Sequence, residues 1–250
     1  MEPFVGSMGD PEVMSVIHPS QIIDLSHEVF ANMPSYPTLP PFKIEYLKLA
    51  ARDGSTVSWI TSMHMHNGTH IDFPSHVIPE AKCLEDYSLQ DLSGPGLTID
   101  LSYKKEGEEI TEKDLMKHDS HMKKGQMLFM FTGWSKKRAV TPTYLFKWPH
   151  LSERAAQFLA KKQLKVVGTD GLSIGGWSGK MLVGPIAKTP PRIIHRTLLE
   201  AGTLILEEVA NLDQVLARKK VASSFFILAP LPVRGAEASC CRVICIRSSA

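Results

Sequence analysis

The chain has 250 residues, of which 43% are hydrophobic and 22% are charged, and its formal net charge is +2. These values are ordinary for a globular protein, and a chain of this length buries a substantial core. A near-neutral chain lacks the basic field on which nucleic-acid binding depends, and no apolar run approaches the roughly 18 to 20 residues of a membrane helix. The composition therefore predicts a protein that binds neither nucleic acid nor membranes.

The cysteines and the N-terminus bear on the compartment. The four cysteines form no C-x-x-C pair, and reduced thiols are typical of a reducing compartment. Residues 1–20 lack the charged region and apolar stretch of a secretory signal, and their Gly, Pro and Ser content predicts a loose leader. We therefore expect a cytoplasmic protein with one domain over residues 21–250.

Short apolar runs separated by proline and glycine predict a chain in which strands outnumber helices. In chain order, the predicted strands cover residues 22–25, 55–66, 97–101, 127–132, 164–168, 204–209, 223–228 and 241–246. Between the first two strands, the prolines of residues 33–37 predict a rigid, extended loop.

Three helices are predicted from the residues that cap them. One begins at Thr111, with the acidic residue of a capping box three positions later, and a second runs from its N-cap Ser152 to about Lys162. A third is framed by Pro191 near its start and Gly202 just past its end. The predicted fold class is α/β, as a single mixed domain with more strand than helix.

The strongest chemical signal is a group of three histidines, His66, His70 and His76, with Asp72 among them. Histidine and carboxylate together suit Zn²⁺, Mn²⁺ or Fe²⁺, and the lack of cysteine in this segment disfavours a structural zinc site. A straight strand would spread His66 and His76 over about 33 Å, at about 3.3 Å per residue. The segment must therefore turn back on itself, and Gly68 is the residue that is free to let it do so.

Other histidines are weaker candidates for metal binding. His118 and His121 have H-x-x-H spacing but lie among lysines at what we interpret as a solvated helix end. His64 shares strand parity with His66, so it could line the same pocket. His150 is interpreted as an ordinary surface or satisfied histidine.

The segment from His66 to His76 also matches the pattern H-x-G-T-H-x-D-x-P-x-H at every specified position. This pattern is the hallmark of the cyclase-like metal hydrolases, the family of bacterial kynurenine formamidase and isatin hydrolase, and the chain resembles that family. The resemblance extends over nearly the whole chain, through blocks at residues 23–27, 33–37, 132–134, 151–156, 168–174 and 229–231. It implies the swivelling β/β/α architecture of the family.

The resemblance implies two further ligands far from this segment. It identifies His195 with a histidine on a late helix, and Glu207 with a glutamate twelve residues later at the end of an apolar strand. A carboxylate in that position is costly to bury unless it is paired or bound to a metal. The neighbouring Glu208 is expected to point to the opposite face, toward solvent.

The resemblance implies a divalent metal cofactor, Zn²⁺ or Mn²⁺, with one or two ions per subunit. The first ion would be held by His66, His70, Asp72 and Glu207. The second would be held by Asp72, His195 and Glu207, so that both ions share the two carboxylates. The resemblance leaves His76 as the catalytic proton shuttle. It also aligns Tyr36 with an aromatic residue that contacts the substrate ring, either in its own pocket or in that of a neighbouring subunit.

The chain departs from the family pattern in three places. Residues 175–177 are Gly-Gly-Trp where the family often has an aspartate, the family's I-L-E-N is I-L-E-E here, and residues 125–126 are Gly-Gln in place of a common Gly-Asp. None of these changes removes an expected ligand. They lie near regions that shape the pocket, so they bear on the substrate.

The predicted activity is hydrolysis of an amide C–N bond by attack of metal-bound hydroxide, as in the conversion of N-formylkynurenine to kynurenine and formate. A cyclic amide or lactone hydrolase of the isatin hydrolase type is one alternative, and a non-catalytic metal-binding scaffold is another. The intact set of site residues argues against the scaffold, which would not need His76. The expected partner is a small aryl amide or formamide, and the resemblance implies a homodimer or homotetramer.

Overall fold

The computed structural model of the protein describes residues 17–177 and 193–247. In this part of the chain the backbone forms twelve strands: β1 (Ile22–Asp24), β2 (Lys43–Lys48), β3 (Val57–Ser62), β4 (His70–Asp72), β5 (Ser93–Asp100), β6 (Glu109–Ile110), β7 (Met127–Phe131), β8 (His150–Leu151), β9 (Val166–Thr169), β10 (Leu204–Glu207), β11 (Val221–Pro230) and β12 (Ala238–Arg247). All eight predicted strands are present. The strands β2, β4, β6 and β8 are additional, and most of the predicted leader, residues 1–16, lies outside the described residues.

Six α-helices lie in the same ranges: α1 (Ala50–Asp53), α2 (Glu112–Met116), α3 (Pro142–Phe146), α4 (Glu153–Lys161), α5 (Ile193–Glu200) and α6 (Leu212–Leu216). Five 3-10 helices accompany them: Pro19–Gln21, Pro74–His76, Leu84–Asp86, Asp119–His121 and Trp134–Lys137. None of the described helices combines the length and the apolar character that crossing a bilayer would require.

The three predicted helices correspond to α2, α4 and α5. Thr111 and Ser152 are the N-caps of α2 and α4, and each accepts a hydrogen bond from a backbone N–H of the first turn. Gly202 has φ of +80° just past the end of α5, as expected of a residue that terminates a helix. Pro191 lies outside the described residues.

The main sheet of the described chain closes on itself. Its strands follow the order β1-β12-β11-β5-β7-β9-β10-β4, and β4 also pairs with β12, so that seven strands form a barrel and β1 lies beside β12. The strands β5, β7, β9 and β10 run parallel to one another, whereas β4, β11 and β12 join their neighbours antiparallel. The predicted mixed α/β domain with more strand than helix is confirmed.

Helices cover the parallel part of the barrel. Every residue of β7 is buried, as expected of a strand in a parallel sheet whose faces are covered. Helix α4 packs against α2 and α5, α5 packs against β10, and α6 packs against β5, β7 and β11. The contact between α5 and β10 brings the predicted ligand His195 next to the strand that carries Glu207.

The strands β2 and β3 form a separate antiparallel hairpin outside the barrel. All residues of β2, and all of β3 but the last, are exposed. Large apolar side chains are among them, with Tyr46 62% exposed, Trp59 53% and Ile60 49%. We call these two strands the β2–β3 hairpin.

Candidate metal centre and pocket

The segment between β3 and β4 folds as a tight turn. Gly68 has φ of +61°, in the left-handed region that glycine adopts without steric cost. The side chain of Asn67 closes the turn, because Oδ1 accepts a hydrogen bond from the backbone N–H of His64 at 3.0 Å and Nδ2 donates to His64 Nε2 at 2.9 Å. The predicted sequence of strand, turn at Gly68 and extended exit is confirmed.

Strand β4 lies between β10 and β12 and carries His70 and Asp72. In the antiparallel pair β4–β10, His70 lies directly opposite Glu207. Alternate residues of a strand share a face, so Asp72 projects to the same side. Nε2 of His70 is 3.3 Å from Glu207 Oε2 and 3.5 Å from Asp72 Oδ1. All three side chains are buried.

Helix α5 adds His195 to this group. Its Nε2 atom lies 3.1 Å from Glu207 Oε1 and 3.7 Å from Asp72 Oδ2, and the residue is 4% exposed. The two residues that the family resemblance added, His195 and Glu207, therefore lie together with His70 and Asp72 of the histidine-rich segment. The carboxylate of Glu207 directs one oxygen toward each histidine.

His66 lies at the edge of the group, where its side chain is 14% exposed. Its Nδ1 atom is 2.9 Å from Asp72 Oδ1, and its Nε2 atom is 3.4 Å from Glu237 Oε1. Glu237 immediately precedes β12 and was not among the predicted site residues. Nothing in its local sequence distinguishes it from a surface carboxylate, because only the pairing of β12 with β4 brings it here.

His76 closes the 3-10 helix Pro74–His76 and lies between two of the histidines. Its ring centroid is 4.3 Å from that of His66 and 5.8 Å from that of His195. Its ring also groups with Asp72 and His195, and with His66 and Glu237, in sets whose nitrogen and carboxylate oxygen atoms lie within 4.8 Å of one another. The residue predicted to transfer protons is therefore within reach of the predicted ligands.

His70 is held in the tautomer that a metal ligand needs. Its Nδ1 atom is 2.8 Å from the carbonyl oxygen of Gly68, and a carbonyl only accepts, so Nδ1 carries the proton and Nε2 keeps its lone pair. Nε2 of His70 and both carboxylate oxygens of Asp72 are buried and have no hydrogen bond of good geometry among the described residues. Buried polar atoms are nearly always satisfied, so these convergent nitrogen and oxygen donors fit a divalent cation.

The charges of the cluster show the same preference for a cation. Burial raises the pKa of Asp72, but the nearby His66 and His76 together outweigh burial and hold that pKa below its usual range. Burial opposes the ionisation of Glu207 as well, whereas the adjacent His195 and His70 hold its pKa well below the usual value. Burial lowers the pKa of His66, but the carboxylates of Asp72, Glu237 and Glu207 together override burial and raise that pKa to about 10. Nearby positive charge thus keeps two buried carboxylates ionised, and a bound divalent metal ion would have the same effect.

The block at residues 168–174, which the resemblance identified without a role, supports Glu207. Ser173 Oγ donates a hydrogen bond to Glu207 Oε1 at 3.0 Å, and the backbone N–H of Ile174 donates to the same oxygen at 2.7 Å. Asp170 accepts hydrogen bonds from the backbone N–H and the hydroxyl of Thr132, at 3.0 Å and 2.5 Å, and so joins the ends of β7 and β9. The sequence identified these residues as a block, and only the fold gives them a partner.

The prediction that Glu208 faces solvent is wrong. Strand β10 ends at Glu207, and Glu208 has φ of +52°, so the alternation of strand faces stops there. Its carboxylate is buried, accepts a hydrogen bond from Tyr144 Oη at 2.9 Å and lies 3.5 Å from Nε of Arg138. Asparagine, which the family's I-L-E-N pattern has here, adopts a positive φ more readily than glutamate.

A cavity of about 310 Å³ adjoins the metal-ligand cluster. His66, His70, His195 and Glu207 line it at one end, and Tyr36 and Trp177 contribute aromatic walls. The ring of Tyr36 contacts Trp177 edge-on with centroids 5.7 Å apart. Tyr36 therefore lines the cavity of its own chain.

The remaining histidines differ in their surroundings. His64 Nε2 accepts from Asn67 and lies 2.9 Å from Ser35 Oγ, so it stabilises the turn and is not grouped with the metal-capable side chains. Burial, and then the proximity of His66, lower the pKa of His64 to about 4. His150 was expected to be an ordinary surface or satisfied histidine, but it lines the cavity.

Comparison with known proteins supports the same assignment. The model of the Cyclase family, described as "Putative cyclase", matches residues 23–175. The kynurenine formamidase of Bacillus cereus is 30% identical over 196 residues, which cover 78% of this chain and 85% of the relative. The family resemblance stated from the motif is therefore confirmed.

Two solved structures are similar over nearly the whole fold. Isatin hydrolase A from Labrenzia aggregata has a TM-score of 0.75 at 25% identity, covering 91% of this chain and 94% of that one. A "predicted metal-dependent hydrolase" from Bacillus stearothermophilus has a TM-score of 0.69 at 28% identity, covering 90% of this chain and 97% of that one. Since the family match runs from β1 to beyond β9 and the relatives align over most of their own length, this chain belongs to the Cyclase family.

Proposed function

We propose that this protein is a metal-dependent hydrolase that cleaves the C–N bond of an aryl formamide, converting N-formylkynurenine to kynurenine and formate. The observation that carries the proposal is the convergence of His70, Asp72, His195 and Glu207 at one end of a cavity with aromatic walls. The similarity to a kynurenine formamidase over 78% of the chain supports this choice of reaction.

The proposed cofactor is Zn²⁺ or Mn²⁺, with one or two ions per subunit. Two overlapping ligand sets would hold it: His66, His70, Asp72 and Glu207 for one ion, and Asp72, His195 and Glu207 for a second. When bound, such an ion acidifies a water molecule and polarises the carbonyl of the substrate. Glu207 directs Oε2 toward His70 and Oε1 toward His195, so its carboxylate would belong to both ligand sets.

His76 is the proposed general base and acid. Its half-buried ring lies beside the rings of His66 and His195, which is close enough to receive a proton from a water molecule at the ligand cluster. As the water oxygen bonds to the formyl carbon and the C–N bond breaks, His76 delivers that proton to the aryl nitrogen. Formate and the free aryl amine are the products.

Tyr36 and Trp177 are proposed to hold the aryl ring of the substrate. Their rings meet edge-on at 5.7 Å beside the ligand cluster, and an aromatic substrate adds offset or edge contacts of the same kind. A cavity of about 310 Å³ lies at the lower end of the range for small-molecule sites. It therefore suits a substrate with a single aryl group.

Hydrolysis of a cyclic amide is the second candidate, and one observation favours it. Isatin hydrolase A from Labrenzia aggregata matches the fold with a TM-score of 0.75. Opening of a lactam ring would use the same ligand cluster and the same proton transfer. Rates on a panel of aryl formamides and cyclic amides distinguish the two candidates.

We also propose that the protein forms a homodimer or homotetramer through the β2–β3 hairpin. An isolated two-stranded hairpin is marginally stable in water, and Tyr46, Trp59 and Ile60 expose apolar surface on it. A second copy of the chain that covers this surface would stabilise the hairpin.

A cytoplasmic location is proposed from the cysteines. All four, Cys83, Cys240, Cys241 and Cys245, are free. Unpaired thiols are typical of proteins in reducing compartments.

The proposed function is tested by metal analysis of the purified protein, coupled to an N-formylkynurenine assay with Zn²⁺ or Mn²⁺ added back after chelation. We expect one or two bound divalent ions per chain, loss of activity on chelation and recovery on addition of metal. A metal-loaded protein that leaves every formamide and cyclic amide of the panel intact would indicate the non-catalytic scaffold instead.

A further inference from the structure

A second set of polar side chains lines the cavity: Glu109, His150 and Glu153. Glu109 and His150 are register partners in the parallel pair β6–β8, so their side chains share a face. Glu153 follows three residues after His150, as the first residue of α4. Three acceptor groups from β6, β8 and α4 thus belong to one wall, which we call the acidic wall.

The acidic wall lies directly beside the metal-ligand cluster. A Cβ atom added to Gly175 would lie 3.6 Å from Cε1 of His195, and one added to Gly176 would lie 2.5 Å from Nε2 of His150. Consecutive Cα atoms are about 3.8 Å apart, so the two histidine rings lie against neighbouring residues of the backbone. The cluster and the wall are therefore close enough for one small molecule to contact both. The two glycines, which stand where the family often has an aspartate, leave the space that the His150 ring occupies.

His150 contributes an acceptor nitrogen to the wall. Its Nδ1 atom is 3.3 Å from the carbonyl oxygen of Trp148, so Nδ1 donates there and Nε2 is the ring nitrogen that can accept. The carboxylates of Glu109 and Glu153 accept only. A protonated amine offers three donors and no acceptor, and it matches this set.

We propose that Glu109, His150 and Glu153 recognise a protonated amine on the substrate, so that the enzyme selects aryl formamides that carry an ammonium group. The inference rests on the proposed function and specifies its substrate, since the α-ammonium of N-formylkynurenine is such a group. Glu109 and Glu153 are exposed carboxylates, and no lysine or arginine is among the described residues of the cavity lining. A lining of one sign concentrates ligands of the opposite charge.

The test compares two substrates that differ only in the amine: N-formylkynurenine and its Nα-acetyl derivative, which keeps the carboxylate but has no ammonium group. We expect kcat/KM of the metal-loaded enzyme to be about threefold to fivefold higher for the free amine, the effect of a solvent-accessible ion pair. We expect the preference for the free amine to come from a lower KM at similar kcat, and to decrease at high salt concentration. Equal kcat/KM for both substrates would overturn the proposal.

Variants locate the preference. Glu153→Gln and His150→Phe are expected to lower the ratio of the two kcat/KM values toward one, and Gly176→Ala is expected to do the same because its methyl group displaces the His150 ring. Glu112→Gln is the matched control, because Glu112 is also the first residue of its helix but does not line the cavity. A Glu153→Gln ratio equal to that of the Glu112→Gln control contradicts the assignment.

Calorimetric binding of two amines provides a readout that needs no turnover. Kynurenine carries the ammonium group, and Nα-acetylkynurenine keeps its aryl ketone and its carboxylate without that group. We expect kynurenine to bind more tightly and to lose that advantage in Glu153→Gln. If no formamide is hydrolysed but this difference in binding persists, the proposed function fails and the acidic wall stands. Equal binding of both amines would refute the role of the acidic wall in recognising the ammonium group, whether or not the enzyme is active.

Discussion

His70 and Glu207 face each other directly across the antiparallel pair β4–β10, with Nε2 and Oε2 3.3 Å apart. The register of one three-residue strand thus joins ligands from distant parts of the chain. A shift of that register by one residue would move one of the two side chains to the other face of the sheet. Strand β4 is held on both sides, by β10 and by β12, which prevents such a shift.

The hydrogen bond from Ser173 orients the carboxylate of Glu207, and its removal tests the ligand role. We expect Ser173→Ala to lower the affinity for Zn²⁺ by about 10- to 100-fold, the usual effect of losing a group that orients a ligand. Competition with a chelating dye measures the affinity. Ser102→Ala, at an exposed position after β5, is the control. Equal affinity in the two variants would show that Ser173 does not orient Glu207 for metal binding.

The position of His76 predicts that a variant without this side chain binds metal normally but has a much lower kcat. We expect His76→Ala to retain the metal content of the wild type and to lower kcat by about a hundredfold or more, because a positioned acid–base group contributes that much. His121→Ala is the matched control, since His121 also ends a 3-10 helix but lies outside the metal-capable groups of the described residues. Full activity of His76→Ala refutes the proton-transfer role, and loss of metal would make His76 a ligand.

The buried carboxylate of Glu208 predicts a large loss of stability on truncation. Glu208→Ala leaves the guanidinium of Arg138 without its buried counter-charge, which costs about 3 to 5 kcal/mol. Glu208→Asn is expected to lose less, because asparagine tolerates the positive φ and keeps a polar group near Tyr144. Urea denaturation of the metal-free protein measures both values. A loss below about 1 kcal/mol for alanine would contradict the ion pair.

The ligands of the histidine-rich segment could be predicted from sequence because they lie close together in the chain, and a short segment must bend to bring them to one metal. Residue chemistry identified His66, His70 and Asp72, and the length of a strand required the turn at Gly68. His195 and Glu207 came only from the family resemblance, since the register that joins them to β4 is set by long-range strand pairing. The strands β4, β6 and β8 have only two or three residues, which is too short for an alternating pattern to be recognised.

The failures concern residues whose surroundings come from elsewhere in the chain. Glu208 was assigned to solvent because alternation assumes that the strand continues, whereas a left-handed residue follows its end. Its partners Tyr144 and Arg138 belong to another region of the sequence. Glu237 and His150 likewise look like surface residues until the fold brings one to His66 and the other to the cavity.

Asp114 predicts a pH dependence of stability away from the metal-ligand cluster. Burial raises the pKa of Asp114, but hydrogen bonds from Lys104 and Thr111 outweigh burial and hold this pKa below its usual range. A depressed pKa stabilises the fold above the unfolded value of about 4, and that contribution is lost as pH falls toward the folded value. We expect Asp114→Asn to destabilise the protein by about 2 kcal/mol at pH 7.

Urea denaturation at a series of pH values checks the sign of this effect. The difference between wild type and Asp114→Asn should shrink below about pH 4, where the carboxyl group of the unfolded chain is protonated. Glu112→Gln, on the same helix, is the control. A difference that stays constant with pH would show that Asp114 contributes through packing alone.

The β2–β3 hairpin predicts an oligomer that depends on its apolar side chains. Tyr46 and Trp59 are 62% and 53% exposed, and covering them with a second copy of the chain removes apolar surface from water. We expect light scattering to give the mass of a dimer or tetramer for the wild type and of a monomer for a Tyr46→Ser, Trp59→Ser double variant. Val140→Ser, at a residue that is 64% exposed outside the hairpin, should leave the mass unchanged. A wild-type protein that is monomeric at micromolar concentration would contradict this role, and the exposed hairpin would then need a different partner.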